Sequence, residues 1–304
     1  MRNLIISVCL ILFSSAHILA CDICGCGGGS FYMGLLPSFK SRFVGLRYHF
    51  AQYNTSLVSD PSQYSHNSYH SVELWTGWNL GKKWQVLGFV PYYFNKQMDD
   101  DGVSYKNGLG DITLLANYQL YQTPMVKRKP KSVSQELWIG GGVKLPTGNF
   151  SANTNDSSLT VADINAQIGT GSVDFLVNLN HYLHWQAFGL NTILNYKINT
   201  TNGSDYKFGN RFTATSLISY RISLGNIQLI PNAGIAYENT ATNELKNQKV
   251  AFTGSYSLMG IAGLEISMNR VQVGFNIQGP FSQNFADGQT TLKNRGMAHI
   301  TYVF

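Results

Sequence analysis

Three cysteines fall within six residues near the start of the chain, in Cys21-Asp22-Ile23-Cys24-Gly25-Cys26, and Gly27, Gly28 and Gly29 follow directly. Cys-x-x-Cys spacing suits either a disulfide or two thiolates on one soft metal, with Cys26 as a third ligand and copper, zinc or iron as the ion. Asp22 adds an oxygen donor, and the glycines let the backbone wrap tightly. Three thiols cannot all pair within one chain, and an oxidising compartment favours a labile disulfide. Cys21 has a further use. Ile18-Leu19-Ala20-Cys21 reads as a lipobox, in which Cys21 is lipidated after cleavage and only Cys24 and Cys26 keep free thiols. Metal capture, a redox pair and a lipid anchor all remain open at this point.

Other polar groups give weaker chemistry. His66 and His70 stand four apart in a segment without helical period, so they read as loop residues. His181 and His184 fall at a tight turn, on the side where the cysteines belong. Asp99-Asp100-Asp101-Gly102 forms an acidic turn but lacks the downstream carboxylate of a calcium loop. There is no Gly-x-Ser-x-Gly elbow, no His-Glu-x-x-His and no phosphate loop. His299 has Thr301 nearby but no apt serine, so no enzyme is expected.

The elements that must position these groups follow from composition and period. Of 304 residues only 12% are charged, 13% are aromatic, and 30 are glycine. So many aromatics exclude disorder. Only residues 4–20 form a long apolar run, which excludes a helical membrane bundle. That run follows Met1-Arg2-Asn3 and ends in small residues, as a secretory signal does. Residues 1–20 are therefore expected to be removed. A net charge of +6, spread thinly and with no basic helix, leaves no nucleic-acid footprint.

From residue 43 onward the period is two. Val44, Leu46, Tyr48 and Phe50 alternate with Gly45, Arg47 and His49, and Val271, Val273, Phe275 and Ile277 alternate with Gln272, Gly274, Asn276 and Gln278. About twelve such segments occur between 42 and 304. Their connections alternate between long and polar (53–68, 96–107, 147–169, 198–208, 239–252, 281–293) and tight (Gly81-Lys82, Tyr182-Leu183, Leu224-Gly225, Met268-Asn269). One turn, Gln122–Ser132, breaks this pattern and carries Lys127, Arg128, Lys129 and Lys131. Alternating loop length, an even strand count and a terminal Phe304 point to an all-β transmembrane antiparallel β-barrel in the outer membrane of a Gram-negative bacterium. The apolar face then meets lipid. The other face lines the lumen with Arg47, His49, Glu73, Asp111, Glu136, Lys144, Asp174, Arg221, Glu265 and His299, whose mixed signs predict pairing across strands.

Three segments carry a family likeness: Gly108-Leu109-Gly110-Asp111-Ile112-Thr113-Leu114-Leu115-Ala116-Asn117-Tyr118, Gly140-Gly141-Gly142-Val143-Lys144-Leu145-Pro146-Thr147-Gly148, and Gly169-Thr170-Gly171-Ser172-Val173-Asp174-Phe175. In this order and spacing the chain resembles the outer-membrane family named for the phenol meta-cleavage pathway, over roughly residues 40–304. The resemblance implies a transporter for small, often apolar molecules. The expected organisation is a signal at 1–20, a Cys/Gly-rich periplasmic segment or plug at 21–40, and the barrel at 41–304. Passage of small solutes, gated by residues 27–40, is the first functional expectation. An envelope metal-binding or redox-sensing protein using Cys21, Cys24 and Cys26, and a structural barrel with a closed lumen, are the competing ones.

Overall fold

Period-two patterning becomes a closed wall in the computed structural model, which describes residues 42–56, 64–99, 102–123, 133–151 and 167–304. The strands are β1 (Phe43–Ser56), β2 (Tyr64–Leu80), β3 (Trp84–Asp99), β4 (Gly102–Leu109), β5 (Thr113–Gln122), β6 (Val133–Lys144), β7 (Asp174–Trp185) and β8 (Phe188–Ile198). They continue as β9 (Tyr206–Lys207), β10 (Arg211–Tyr220), β11 (Ile222–Leu224), β12 (Ile227–Thr240), β13 (Glu244–Leu245), β14 (Gln248–Lys249), β15 (Ser255–Met268), β16 (Val271–Phe285) and β17 (Thr290–Val303). Fourteen of these form one antiparallel sheet in the order β10-β8-β7-β6-β5-β3-β2-β1-β17-β16-β15-β12-β11, with β4 on β3. Pairing of β10 with β12 closes the ring. Because β4 and β5 follow one another along one stave, as do β10 and β11, the wall has twelve staves. Closure removes every sheet edge, which is what lets strands cross a bilayer without orphaned backbone groups.

Side-chain direction alternates as the sequence requires. Leu46 is 49% exposed on the outside while its neighbour Arg47 is 3% exposed on the inside. Val44, Leu74, Leu114, Ile139, Val177, Ile235, Val273 and Ile300 continue the apolar outer belt. At the short-turn end the belt finishes in aromatics that touch one another, Trp84 on Tyr118, Trp185 on Phe188, Phe188 on Tyr220, and Trp78 and Tyr302 on Phe304. Such a girdle marks the membrane–water interface.

The connections differ from expectation in detail. The first, second and sixth long segments are mostly strand: β1 and β2 pair as far as Ser56 and Tyr64, β3 and β4 as far as Asp99 and Gly102, and β16 and β17 as far as Phe285 and Thr290. Polar residues there still alternate, and above the bilayer the outer face no longer has to be apolar. His66 and His70 therefore sit on strand β2, where their Nδ1 atoms meet Asn54 (2.9 Å) and the Tyr48 hydroxyl (2.7 Å) rather than a shared cation. The turn expected at Tyr182-Leu183 lies instead at Gln186-Ala187, where Gln186 takes a positive φ of 54°. The fourth and fifth connections and the described ends of the third (147–151 and 167–169) lie outside the wall strands and interlock. Strands β9, β13 and β14 form a small separate sheet, under which Tyr206, Phe208 and Phe150 pack. Asn243 ties it together, donating to the Tyr206 hydroxyl at 2.8 Å and accepting from the Gly209 N–H at 2.7 Å.

Candidate functional site: the barrel lumen

The three glycine-rich segments, far apart in sequence, converge on one buried charge cluster. Asp111 lies in the break between β4 and β5, Lys144 ends β6, and Asp174 begins β7. Thr113, Lys144 and Asp174 share a register row, which sets the Lys144 ammonium between the two carboxylates, 2.5 Å from Asp111 Oδ2 and 3.0 Å from Asp174 Oδ2. Lys197 of β8 adds a second ammonium 3.4 Å from Asp174. Two acids and two lysines balance, as buried charge must. The same carboxylates hold the third loop. Asp111 accepts the N–H groups of Gly148 and Thr170, both at 2.9 Å, and Asp174 accepts from the Ser172 hydroxyl at 2.8 Å and the Thr200 N–H at 3.0 Å. Gly148 and Gly169 let the two ends of that loop touch, since a Cβ on Gly169 would lie 2.4 Å from the Gly148 carbonyl oxygen.

A second group sits on β1, β2 and β3. Arg47 Nε donates to Glu73 Oε1 at 2.7 Å, and its Nη2 reaches the same oxygen. The guanidinium also lies 4.6 Å from the Trp75 ring centre and 5.1 Å from that of Phe89. His49 Nε2 is 3.9 Å from the Glu73 carboxylate. Further round the wall, Glu265 on β15 and His299 on β17 meet at 2.8 Å across Gly274 of β16. The Asn178 amide likewise donates to Asn117 at 2.9 Å across Gly140 of β6. In both places a Cβ on the glycine would overlap the side chains that meet there. Glycine is thus a window through which residues two staves apart can bond.

Among the expected lumen residues, Arg47, Asp111, Lys144, Asp174, Glu265 and His299 are buried, and His49 and Glu73 join them in pairs. Glu136 sits near the short-turn end and accepts from Gln119 (3.4 Å), Gln122 (3.4 Å) and the Trp138 indole (3.2 Å). Arg221 is different: it occupies the break between β10 and β11 at the turn and is exposed. The register on β12 runs unshifted from β10 into β11, so Arg221 keeps the parity of the buried Thr213 and Leu217 and is exposed because it lies at the barrel's short-turn end. Sequence reading missed Lys197, and it missed Arg295 of β17, which grips Glu238 of β12 with two bonds of 2.6 and 3.0 Å and Gln278 at 2.6 Å. Both share strand parity with inward neighbours, Lys197 with Asn191 and Arg295 with His299, and that was the available signal.

The lumen is also more apolar than strict alternation implies. Phe43, Trp75, Leu87, Phe89, Leu115, Trp138, Leu176 and Ile193 form one buried cluster on the inner face, and Leu217, Met259, Ile261, Leu292 and Met297 belong to another. Cys21, Cys24 and Cys26, the signal and the 21–40 segment lie outside the described residues, as do Asp100 and Asp101. Among the described residues no group of three or more His, Cys, Asp and Glu side chains converges on a metal position. His181 Nε2 meets Gln135 Oε1 at 3.4 Å.

Comparison with known proteins agrees with this architecture. An outer membrane channel from Pseudomonas putida F1 superposes with a TM-score of 0.62 at 13% identity, over 88% of this chain and 97% of that one. The CymD monoaromatic hydrocarbon channel matches with a TM-score of 0.40 at 10% identity, over 87% of this chain and 88% of that one. The first of these likenesses supports the fold. No curated protein matches the sequence. The pattern of the family described as “Putative MetA-pathway of phenol degradation” matches residues 88–284, which include all three glycine-rich segments and the cluster they build. The chain belongs to that family, as a barrel of the Gram-negative outer membrane.

Proposed function

We propose that the barrel is a passive conduit for small, neutral solutes with an apolar body. The observation that carries this reading is the make-up of the inner face. Most of its charges are spent on one another, in Arg47–Glu73, Lys144 and Lys197 with Asp111 and Asp174, Arg295–Glu238 and His299–Glu265. Between these pairs the inner face is packed with Trp75, Phe89, Trp138 and Leu115, each at most 2% exposed, so a solute passes where these side chains yield. A wall of compensated charge exerts little net field on an ion, while rings and branched chains favour a solute that sheds water readily. The reading needs no catalytic group, since the histidine and acid side chains named above are engaged as structural pairs.

Planar-bilayer recording of the purified protein tests it. The expected result is a small conductance with weak ion selectivity that is reduced when a neutral aromatic solute is added. An inert protein, with neither current nor solute passage, would leave the lumen a closed structural core and overturn the proposal.

A further inference from the structure

The outer surface carries charge that the lumen does not use. At the short-turn end, periplasmic in barrels of this class, Arg42, Lys82, Lys83, Arg221 and Arg270 are all exposed. No Asp or Glu occurs in the turns at 81–83, 221–226 and 269–270. Of the acids near that end, Glu136 points inward to its glutamine and indole partners. Asp205, Glu244 and Asp287 stand at the opposite end, in the long connections.

These cations are placed by the aromatic girdle. The Arg42 guanidinium lies 5.9 Å from the Trp78 ring centre and the Lys83 ammonium 5.7 Å from that of Tyr118. Arg270 Nη1 donates to the Tyr302 hydroxyl at 3.4 Å, and Arg221 follows the exposed Tyr220. Arg42 and Arg270 flank the end of β17, whose Phe304 and Val303 N–H groups bond their carbonyls at 2.9 and 2.7 Å. With the turn at Lys82 and Lys83, they put four cations on adjacent staves from β15 round to β3. Aromatics of a girdle sit at headgroup depth, so the cations beside them meet the phosphate layer. Four like charges with at most one carboxylate among them, that ending Phe304, repel unless a further anion lies there.

We infer that this collar is a binding surface for the anionic phospholipid headgroups of the inner leaflet. It does not depend on what passes through the lumen.

Trp78 and Trp84, both exposed on the girdle, supply the readout. The purified full-length protein is reconstituted in phosphatidylcholine vesicles containing either dibrominated phosphatidylglycerol or dibrominated phosphatidylcholine, and quenching is compared at equal mole fraction. The anionic lipid should bind preferentially, by roughly fivefold for each cation engaged, and the preference should fade as salt is raised. A folded Arg42→Gln/Lys82→Gln/Lys83→Gln/Arg270→Gln variant should lose it. If that variant does not fold, Lys82→Gln/Lys83→Gln, confined to an exposed turn, should at least halve the preference. Lys246→Gln/Lys249→Gln, at the far end, should keep it whole. Equal quenching by both lipids in the wild-type protein, or a preference that survives loss of the cations, overturns the inference. Equal quenching together with retention on isolated peptidoglycan would overturn it in favour of cell-wall carboxylates.

Discussion

Glu265 and His299 bond at 2.8 Å across a stave to which neither belongs, because the residue between them in register is Gly274. Neighbouring strands lie about 4.8 Å apart, so side chains as short as these meet directly across a stave when its middle position has no side chain, whereas a long one such as Arg295 reaches Glu238 over occupied staves. Gly140 repeats the device for Asn117 and Asn178. Sequence offers glycine in a strand as a weakness. In this wall it is what allows the lumen to be braced sideways.

Replacing Gly274 with valine should therefore cost stability despite the better strand propensity of valine. The added methyls would occupy the space of the Glu265 carboxylate and the His299 ring. A loss of about 2–3 kcal/mol is expected from overpacking and a broken buried pair, read from urea unfolding of the folded barrel in detergent. A valine variant as stable as the wild type would show the bridge to be incidental.

Lys144→Met removes the ammonium that separates Asp111 from Asp174 and leaves two buried carboxylates with Lys197 alone. Breaking a buried pair from one side costs about 3–5 kcal/mol. The third loop should loosen with it, because Asp111 also holds the Gly148 and Thr170 amides. Hydrogen exchange at those two amides should accelerate by at least tenfold, while exchange in β15 and β16 stays slow. Uniform acceleration throughout the barrel would instead mean global destabilisation without a latch.

Arg47→Ala should change the lumen's electrical character. Glu73 loses the guanidinium that neutralises it, and Trp75 and Phe89 lose their cation. Reversal potentials in a salt gradient should shift toward cation selectivity. Arg47→Lys should restore part of the balance but not the two-nitrogen grip on Glu73 Oε1. An unchanged reversal potential in the alanine variant would place this pair away from the path of the ions.

The wall was legible from sequence because lipid on one side and lumen on the other impose strict alternation. Counting the period-two segments yields the twelve staves as well, and the loop contrast sets the wall in a membrane. The site was legible only in part. Asp111, Lys144 and Asp174 could be named from parity, but their convergence depends on register, which pattern alone does not reveal. Arg221 shares the inward parity and keeps it in the structure, but it lies so close to the short-turn end that its side chain is exposed. Arg295 and Lys197 fell at ends of segments, where strand boundaries are least certain. The inward aromatics Trp75 and Trp138 look like outer-belt residues by type, and only their position in the alternation tells them apart.

The most direct test of the account is solute uptake limited by the outer membrane. Cells lacking other porins, with and without this protein, are given a labelled neutral monocyclic aromatic or arabinose at low concentration. The account predicts that the protein raises aromatic uptake several-fold and arabinose uptake little, and that Trp75→Ala with Phe89→Ala, correctly inserted, erases the difference. Faster arabinose uptake with no gain for the aromatic solute would contradict it.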